Sequence, residues 1–407
     1  MGRKKSSGSI RGTSFFPDDL LYWSRKGGIP IDNTYRSISL FSGAMGLDLG
    51  LEQAGVEIAV GQDVSGACAA TMLANGHRGL AGDIRDISAG TLLEAAGLKR
   101  GESFLISGGP PCQPFSTAGK RLGINDPRGS LFRDYVRVID EARPRFFVME
   151  NVKGLLSARL KDENGKDGEA RVLDVILEEF QRLRYKTVYG LLDAVNYGVP
   201  QFRERFVLIG SRDNEDIFLP VPTHFQTHQR AECRWVTLGE TIRDMEDKPC
   251  EYSGFGETRL RFLRMVPEGG NWRDLPQELL EEAMGGAYRS GGGKVGFYRR
   301  LSYGQPAPTL VTTPIQKATM MCHPVLDRPL SVEEYARIQQ FPANWQIKGT
   351  TQDKYRQIGN AVPVGLARAI GEAIMAAASG EASVKVKRIR GTSVHSRIQE
   401  AIGIGGT

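Results

Sequence analysis

Short apolar runs punctuate the first half of the chain: Ser37-Ile38-Ser39-Leu40, Ile58-Ala59-Val60-Gly61, Phe104-Leu105-Ile106, Phe146-Phe147-Val148-Met149 and Phe206-Val207-Leu208-Ile209. Runs of this length, bounded by turn residues, predict buried strands. Between them, apolar residues recur at helical spacing. Val172, Leu173, Val175, Ile176, Phe180 and Leu183 make one such face. Ser130-Leu131-Phe132 opens another, which carries Val136 and Ile139 and ends near Pro144. Buried strands alternating with amphipathic helices predict an α/β fold: a mostly parallel sheet with helices on both faces.

From about Asp213 the alternation fades. Glycine pairs, Trp235, Trp272, Tyr288, Tyr298 and many arginines appear instead. This predicts a second, smaller and irregular domain of strands and loops over 213–328. Helical patterning resumes at Ser331, whose spacing to Glu334 predicts a capping box. Tyr335 and Ile338 continue that helix, and Pro342 stops it. Pro363 to Ala378 predicts a last helix with Gly380 as its end. The first domain, 37–212, is therefore interrupted and completed by 329–380. Residues 1–36 read as an extension. Its Phe15-Phe16-Pro17 and Leu20-Leu21-Tyr22-Trp23 are too apolar for a pure tail and would pack on the body or reach a partner. Residues 381–407 read as a basic tail, with Lys385 to Arg390 either solvated or touching phosphate.

Composition adds little. With 407 residues there is enough chain for two domains. A net charge of +6 permits a polyanionic partner without demanding one. The five cysteines form no CxxC pair and lie apart from the histidines, which argues against a metal site or a disulfide framework. The sequence offers no membrane span and no signal peptide, so the expectation is a protein of the prokaryotic cytoplasm.

The chemistry sits at the ends of the predicted strands. Phe41-Ser42-Gly43-Ala44-Met45-Gly46 follows the first, Asp63 the second, and Glu150-Asn151 the run at 146–149. Asp83 lies in a short turn after Gly82. Gly108-Gly109-Pro110-Pro111-Cys112 follows Phe104-Leu105-Ile106. Prolines stiffen this loop and glycines let it turn tightly. In open α/β sheets ligands bind outside the carboxyl ends of the strands, so these residues are expected to converge. A lone cysteine is usually a small apolar residue, and a lone aspartate usually a helix cap. The combination of tight turn, two spaced acids, loop thiol and strand-end glutamate favours a cofactor site beside a nucleophile.

In order and content these segments resemble the DNA (cytosine-5)-methyltransferase family. The match runs through FSGAMGLDLGLEQAG at 41–55, GGPPCQPFSTAG at 108–119, MENVKGLL at 149–156 and QFRERFVLIG at 201–210. It continues through RPLSVEEYARIQQFP at 328–342 and QIGNAVPVGLA at 357–367. The first 36 residues, about 213–300 and the C-terminal tail carry little of it.

The resemblance implies a Rossmann-like S-adenosylmethionine-dependent methyltransferase domain with a smaller, irregular target-recognition domain. It implies methylation of C5 of a cytosine flipped out of a specific double-stranded DNA site, by a monomer. Pairing with a restriction endonuclease follows from family analogy alone. Cys112 matches the nucleophile, Glu150 the N3 contact, Arg205 the contact to cytosine O2, and Arg203 a support of the pocket. Phe41, Gly43, Gly46, Asp63, Asp83, Ile84, Pro110, Leu131, Asn360 and Val362 match the cofactor pocket. Met45 departs from the family's Gly-Gly, and Asp63 stands where Glu is usual. Ser116, Lys120, Arg121, Arg128 and Thr309 match DNA contacts, the first four in or beside a loop expected to close over the flipped base. An RNA cytosine methyltransferase and a DNA-binding homologue without catalysis are the rival readings. The large segment 213–328 disfavours the first. Intact Cys112, Glu150 and Arg205 disfavour the second.

Overall fold

The computed structural model describes residues 35–111, 130–161, 167–289 and 295–381. Seven strands form one sheet: β1 (Arg36–Leu40), β2 (Glu57–Asp63), β3 (Gly79–Ala81), β4 (Leu105–Gly108), β5 (Phe146–Val152), β6 (Lys186–Asp193) and β7 (Glu204–Ser211). Their order is β3-β2-β1-β4-β5-β7-β6. The first five run parallel, and β7 is antiparallel to both its neighbours. All five strands expected from the apolar runs are present. The two others escape the pattern because β3 is three residues long and β6, at the edge, is only partly buried.

Period-two alternation in β5 assigns the two faces of the sheet. Phe147 and Met149 join one apolar cluster with α3 (Ala89–Ala96), α4 (Ser130–Ala142) and α5 (Val172–Arg182). Phe146 and Val148 join the other, with α1 (Gly46–Gln53), α2 (Gly66–Ala74) and the C-terminal helix. The returning segment supplies α6 (Val332–Ile338), α7 (Thr351–Asn360) and α8 (Val364–Ala378). Ser331 caps α6 in the expected capping box with Glu334. Gly380 at φ 75° follows α8.

Helix α8 lies directly on α1. A Cβ at Gly46 would overlap the Val362 carbonyl, and one at Gly50 would overlap Ala367 and the Val364 carbonyl. Gly371 on α8 leaves room in turn for Ala54, at 2.6 Å from where its own Cβ would stand. The returning segment is thereby pressed against the turn after β1.

Over 213–328 the expectation of strands is wrong. Short helices such as Leu238–Ile242, Glu257–Leu263 and Leu280–Met284 alternate with loops, and among the described residues pairing is confined to isolated bridges. The reason is local. Helical spacing such as Phe262-Val266 and Leu280-Met284 is cut every few residues by glycine or proline, so no segment reaches the length of a ladder. Phe255, Phe262, Leu263, Val266, Leu275, Leu280, Met284, Tyr298, Met320 and Cys322 form an apolar cluster of this segment's own.

Candidate active site

The turn after β1 is held from below and from one side. Phe41 and Met45 both have positive φ, 55° and 69°. Met45 is fully buried in the left-handed conformation, which explains why glycine suits this position better. Gly43 N–H donates to Asp63 Oδ2 at 2.9 Å, and Ser65 N–H donates to Oδ1 at 2.8 Å. Asp63 therefore joins the turn to the start of α2. Gln62, which sequence reasoning missed, donates from Nε2 to the Gly82 carbonyl at 2.6 Å and ties the turn after β3 to the same edge. No signal marks Gln62 beyond its place one residue before a strand-end acid.

Asp83 partly fulfils the capping role that short acids favour. It accepts from Arg85 N–H and pairs with the Arg85 guanidinium, which holds its carboxyl down at about 2. It is thus ionised and half-exposed beside the turn. Ile84 is buried, and Phe41 and Leu131 are half-buried against the same apolar cluster. Arg137 on α4 donates to the Ile84 carbonyl at 2.8 Å and fixes that wall. Val362 is buried against Gly46, and Asn360 is exposed at the end of α7. Among the described residues, nothing lies within 4 Å of where a Cβ would stand at Gly43 or Gly66. Open space therefore faces the turn, with an acid and an aromatic ring along it, and these residues fit S-adenosylmethionine.

A second group gathers where β4 and β5 end and β7 begins. Glu150 Oε1 lies 2.7 Å from Arg205 Nε, and both side chains are nearly buried, at 12% and 11% exposed. Burial raises the Glu150 carboxyl above its ordinary range, and the charges of Arg205 and Arg203 oppose that rise. A Cβ at Gly109 would come within 2.9 Å of Glu150 Oε2, so any larger residue there would push the carboxyl aside. Asn151 donates to the Pro110 carbonyl at 3.0 Å. The end of β5 therefore grips the Gly-Pro-Pro loop. Cys112, Ser116, Lys120, Arg121 and Arg128 lie outside the described residues.

Arg203 does something other than face a ligand. It is 1% exposed, and its guanidinium donates to the Leu310 carbonyl at 3.1 Å and the Gly359 carbonyl at 2.6 Å. Burial drives its basicity down, and Arg205 adds to this. It clamps the approach to β7 to two distant segments. Phe202 N–H pairs with the Ala307 carbonyl, and Thr309 Oγ1 donates to the Phe202 carbonyl at 2.7 Å. The Thr309-Leu310 pair is thus stitched beside Arg203 and Arg205.

Many arginines of 213–328 are already occupied. Arg300 is buried and donates to the carbonyls of Leu263, Val266, His323 and Leu326. Arg259 donates to the Ile315 carbonyl, Arg299 to that of Met320, and Arg261 pairs with Glu282. Arg230 and Arg234 are exposed on the loop that closes between Phe225 and Trp235, and Trp235 packs edge-on against Phe202 at 5.2 Å.

The family described as C-5 cytosine-specific DNA methylase matches residues 35–376. The chain is 40% identical over 364 residues to the Type II methyltransferase M.PspPI of Psychrobacter sp. (strain TA137), which covers 87% of this chain and 82% of that protein. It is 38% identical over 343 residues to the Type II methyltransferase M.Sau96I of Staphylococcus aureus, covering 84% and 76%. Among solved structures, DNMT2 of Spodoptera frugiperda matches with a TM-score of 0.53 at 19% identity, over 84% of this chain and 99% of that one, a likeness of fold.

Proposed function

The chain belongs to the C-5 cytosine-specific DNA methylase family and methylates cytosine C5 in DNA, and we propose that Cys112, Glu150 and Arg205 carry the reaction. The observation that supports this most is the grip of Glu150-Asn151 on the loop that leads into Cys112, with the Glu150 carboxyl paired to Arg205.

Cytosine C5 is a weak nucleophile. The Cys112 thiolate adds to C6, and the pair of the C5–C6 double bond becomes available at C5. A protonated Glu150 supports this by donating at N3, and the burial that raises its affinity for a proton suits it to that task. Arg205 aligns the carboxyl and reaches O2. S-adenosylmethionine, which Phe41, Gly43, Gly46, Asp63, Asp83, Ile84, Pro110, Leu131 and Val362 would hold, would supply an electrophilic methyl group to C5, its sulfur leaving as S-adenosylhomocysteine. Loss of the C5 proton to a base would then return the pair to the C5–C6 bond and expel the Cys112 thiolate. The target base is flipped out, since its C5 and C6 are otherwise inside the stack. Segment 213–328, with its own apolar cluster, reads the flanking sequence. We assign the readout to Arg230, exposed on its loop, rather than to arginines whose guanidinium is already bound within the protein, Arg234 on the His228 carbonyl among them. The Type II relatives support a role as the modification partner of a restriction endonuclease in a bacterial cytoplasm.

Labelled S-adenosylmethionine and random-sequence duplexes test the reading. The expected product is 5-methylcytosine at one short site, with Arg230→Ala relaxing discrimination at one position. Label in structured RNA and none in duplex DNA would overturn it. Asp63→Ala is expected to weaken S-adenosylhomocysteine binding roughly 2- to 10-fold, the worth of about 0.5–1.5 kcal/mol for a neutral hydrogen bond, with DNA affinity unchanged. Calorimetry checks this; unaltered affinity would leave Asp63 as a brace between the turn and α2.

A further inference from the structure

Beneath the donor turn lies a carboxyl group that the reaction does not use. Asp48, in the first turn of α1, is completely buried. Three hydroxyls surround it, each from a different part of the site: Ser39 from β1, Ser42 from the turn and Ser107 from β4. Ser107 donates to Oδ1 at 3.4 Å, and Oδ2 has no hydrogen-bond partner. Ser42 also donates to Ser39 at 2.8 Å and accepts from Gln62 N–H at 3.2 Å. One buried polar network therefore spans the strand that opens the donor turn, the turn itself and the strand that delivers the nucleophile loop. Among the described residues, no cation pairs with Asp48. The facing groups on β1, the turn and β4 are serines, and α8 meets this part of α1 with Val364 and Ala367. The neighbouring acids, Asp63 at the end of β2 and Glu52 on α1, are engaged elsewhere, by Gly43 and Ser65 and by His77.

We propose that Asp48 is a positioning residue held as a neutral acid, and that in this state it locks the donor turn to the strand beneath the nucleophile loop. The proposal rests on the cofactor reading of that turn. A buried carboxylate with one oxygen unpartnered is strongly disfavoured, whereas the neutral acid both donates and accepts among hydroxyls. Burial raises the Asp48 carboxyl to about 7. The sign follows from that rise. Below about pH 7 the acid is neutral and the turn is set. Above it, ionisation introduces a bare buried charge that the folded site must relax to hydrate, and the turn loosens.

Product binding, rather than turnover, reads this out without the titration of the nucleophile. S-adenosylhomocysteine affinity is measured by calorimetry from pH 6 to 9 on the full chain. In wild type it is expected to be constant at low pH and to fall above about 7, approaching tenfold per unit as one proton is taken up on binding. Asp48→Asn, which keeps the shape and neutrality, is expected to match wild type at pH 6 and to stay flat. Asp48→Ala is expected to bind weakly at every pH. A wild-type fall that persists in Asp48→Asn would assign the titration to another group and overturn the proposal. Should the asparagine variant fail to fold, proton uptake by wild type at pH 7.5, compared in two buffers of different ionisation enthalpy, decides the matter. Uptake supports the proposal and its absence overturns it. If S-adenosylhomocysteine does not bind at pH 6, the cofactor reading fails instead.

Discussion

Cys112→Ser is expected to abolish methyl transfer while duplex binding survives. Only the covalent step needs the thiolate, and a serine hydroxyl at neutral pH is neither ionised nor soft enough to add to C6. The stiff approach through Pro110 and Pro111 is anchored by Asn151, so the substitution has no reason to disturb the loop's entry. With duplexes carrying 5-fluorocytosine, wild type is expected to form a denaturation-resistant adduct, because fluorine blocks the final elimination. The serine variant should form none. Turnover at the wild-type rate by Cys112→Ser would end the assignment of the nucleophile.

The second large effect is expected from Glu150→Gln. An amide keeps the size of the side chain but cannot hand over a carboxyl proton, and general-acid assistance is worth about 10²–10⁴ in rate. A kcat loss of that order is expected with S-adenosylhomocysteine affinity intact, since the donor turn lies elsewhere. The pH profile gives a separate reading. Wild type needs an ionised thiol and a protonated Glu150, so its rate should rise and then fall with pH. At saturating S-adenosylmethionine, where Asp48 does not limit the rate, the falling limb is expected to vanish in Glu150→Gln. Removing one partner of a nearly buried ion pair also leaves Arg205 uncompensated, so thermal stability should drop, by at most about 3–5 kcal/mol. Assays well below the lowered melting point separate the two effects. A variant with a wild-type rate and profile would remove Glu150 from the chemistry.

The sheet was legible because its central strands are buried on both faces and so read as continuous apolar runs. The edges, β3 and β6, were not, since a half-solvated strand carries a diluted signal. The donor turn was legible from its glycines and the two acids that follow. What escaped was the brace below it. Asp48, Ser39 and Ser107 look like ordinary polar residues scattered along three elements, and only the packing of α1 over β1 and β4 brings them together. The one local hint is an acid on the apolar face of Gly46-Leu47-Asp48-Leu49. Arg203 was legible as a residue but its strand-like pairing with Arg205 understated it, because its partners at Leu310 and Gly359 are remote in sequence. The segment 213–328 was misread as strands because aromatic and glycine content suggests sheets and turns, while its short helical spacings fall below what periodicity can register.

The packing of α8 onto α1 has a consequence for synthesis. The donor turn is translated well before the backbone at Val362 that closes against it at Gly46. Until that backbone is made, a nascent chain carries a turn with one wall missing. A message terminated before Val362 is therefore expected to yield a protein without a closed donor site.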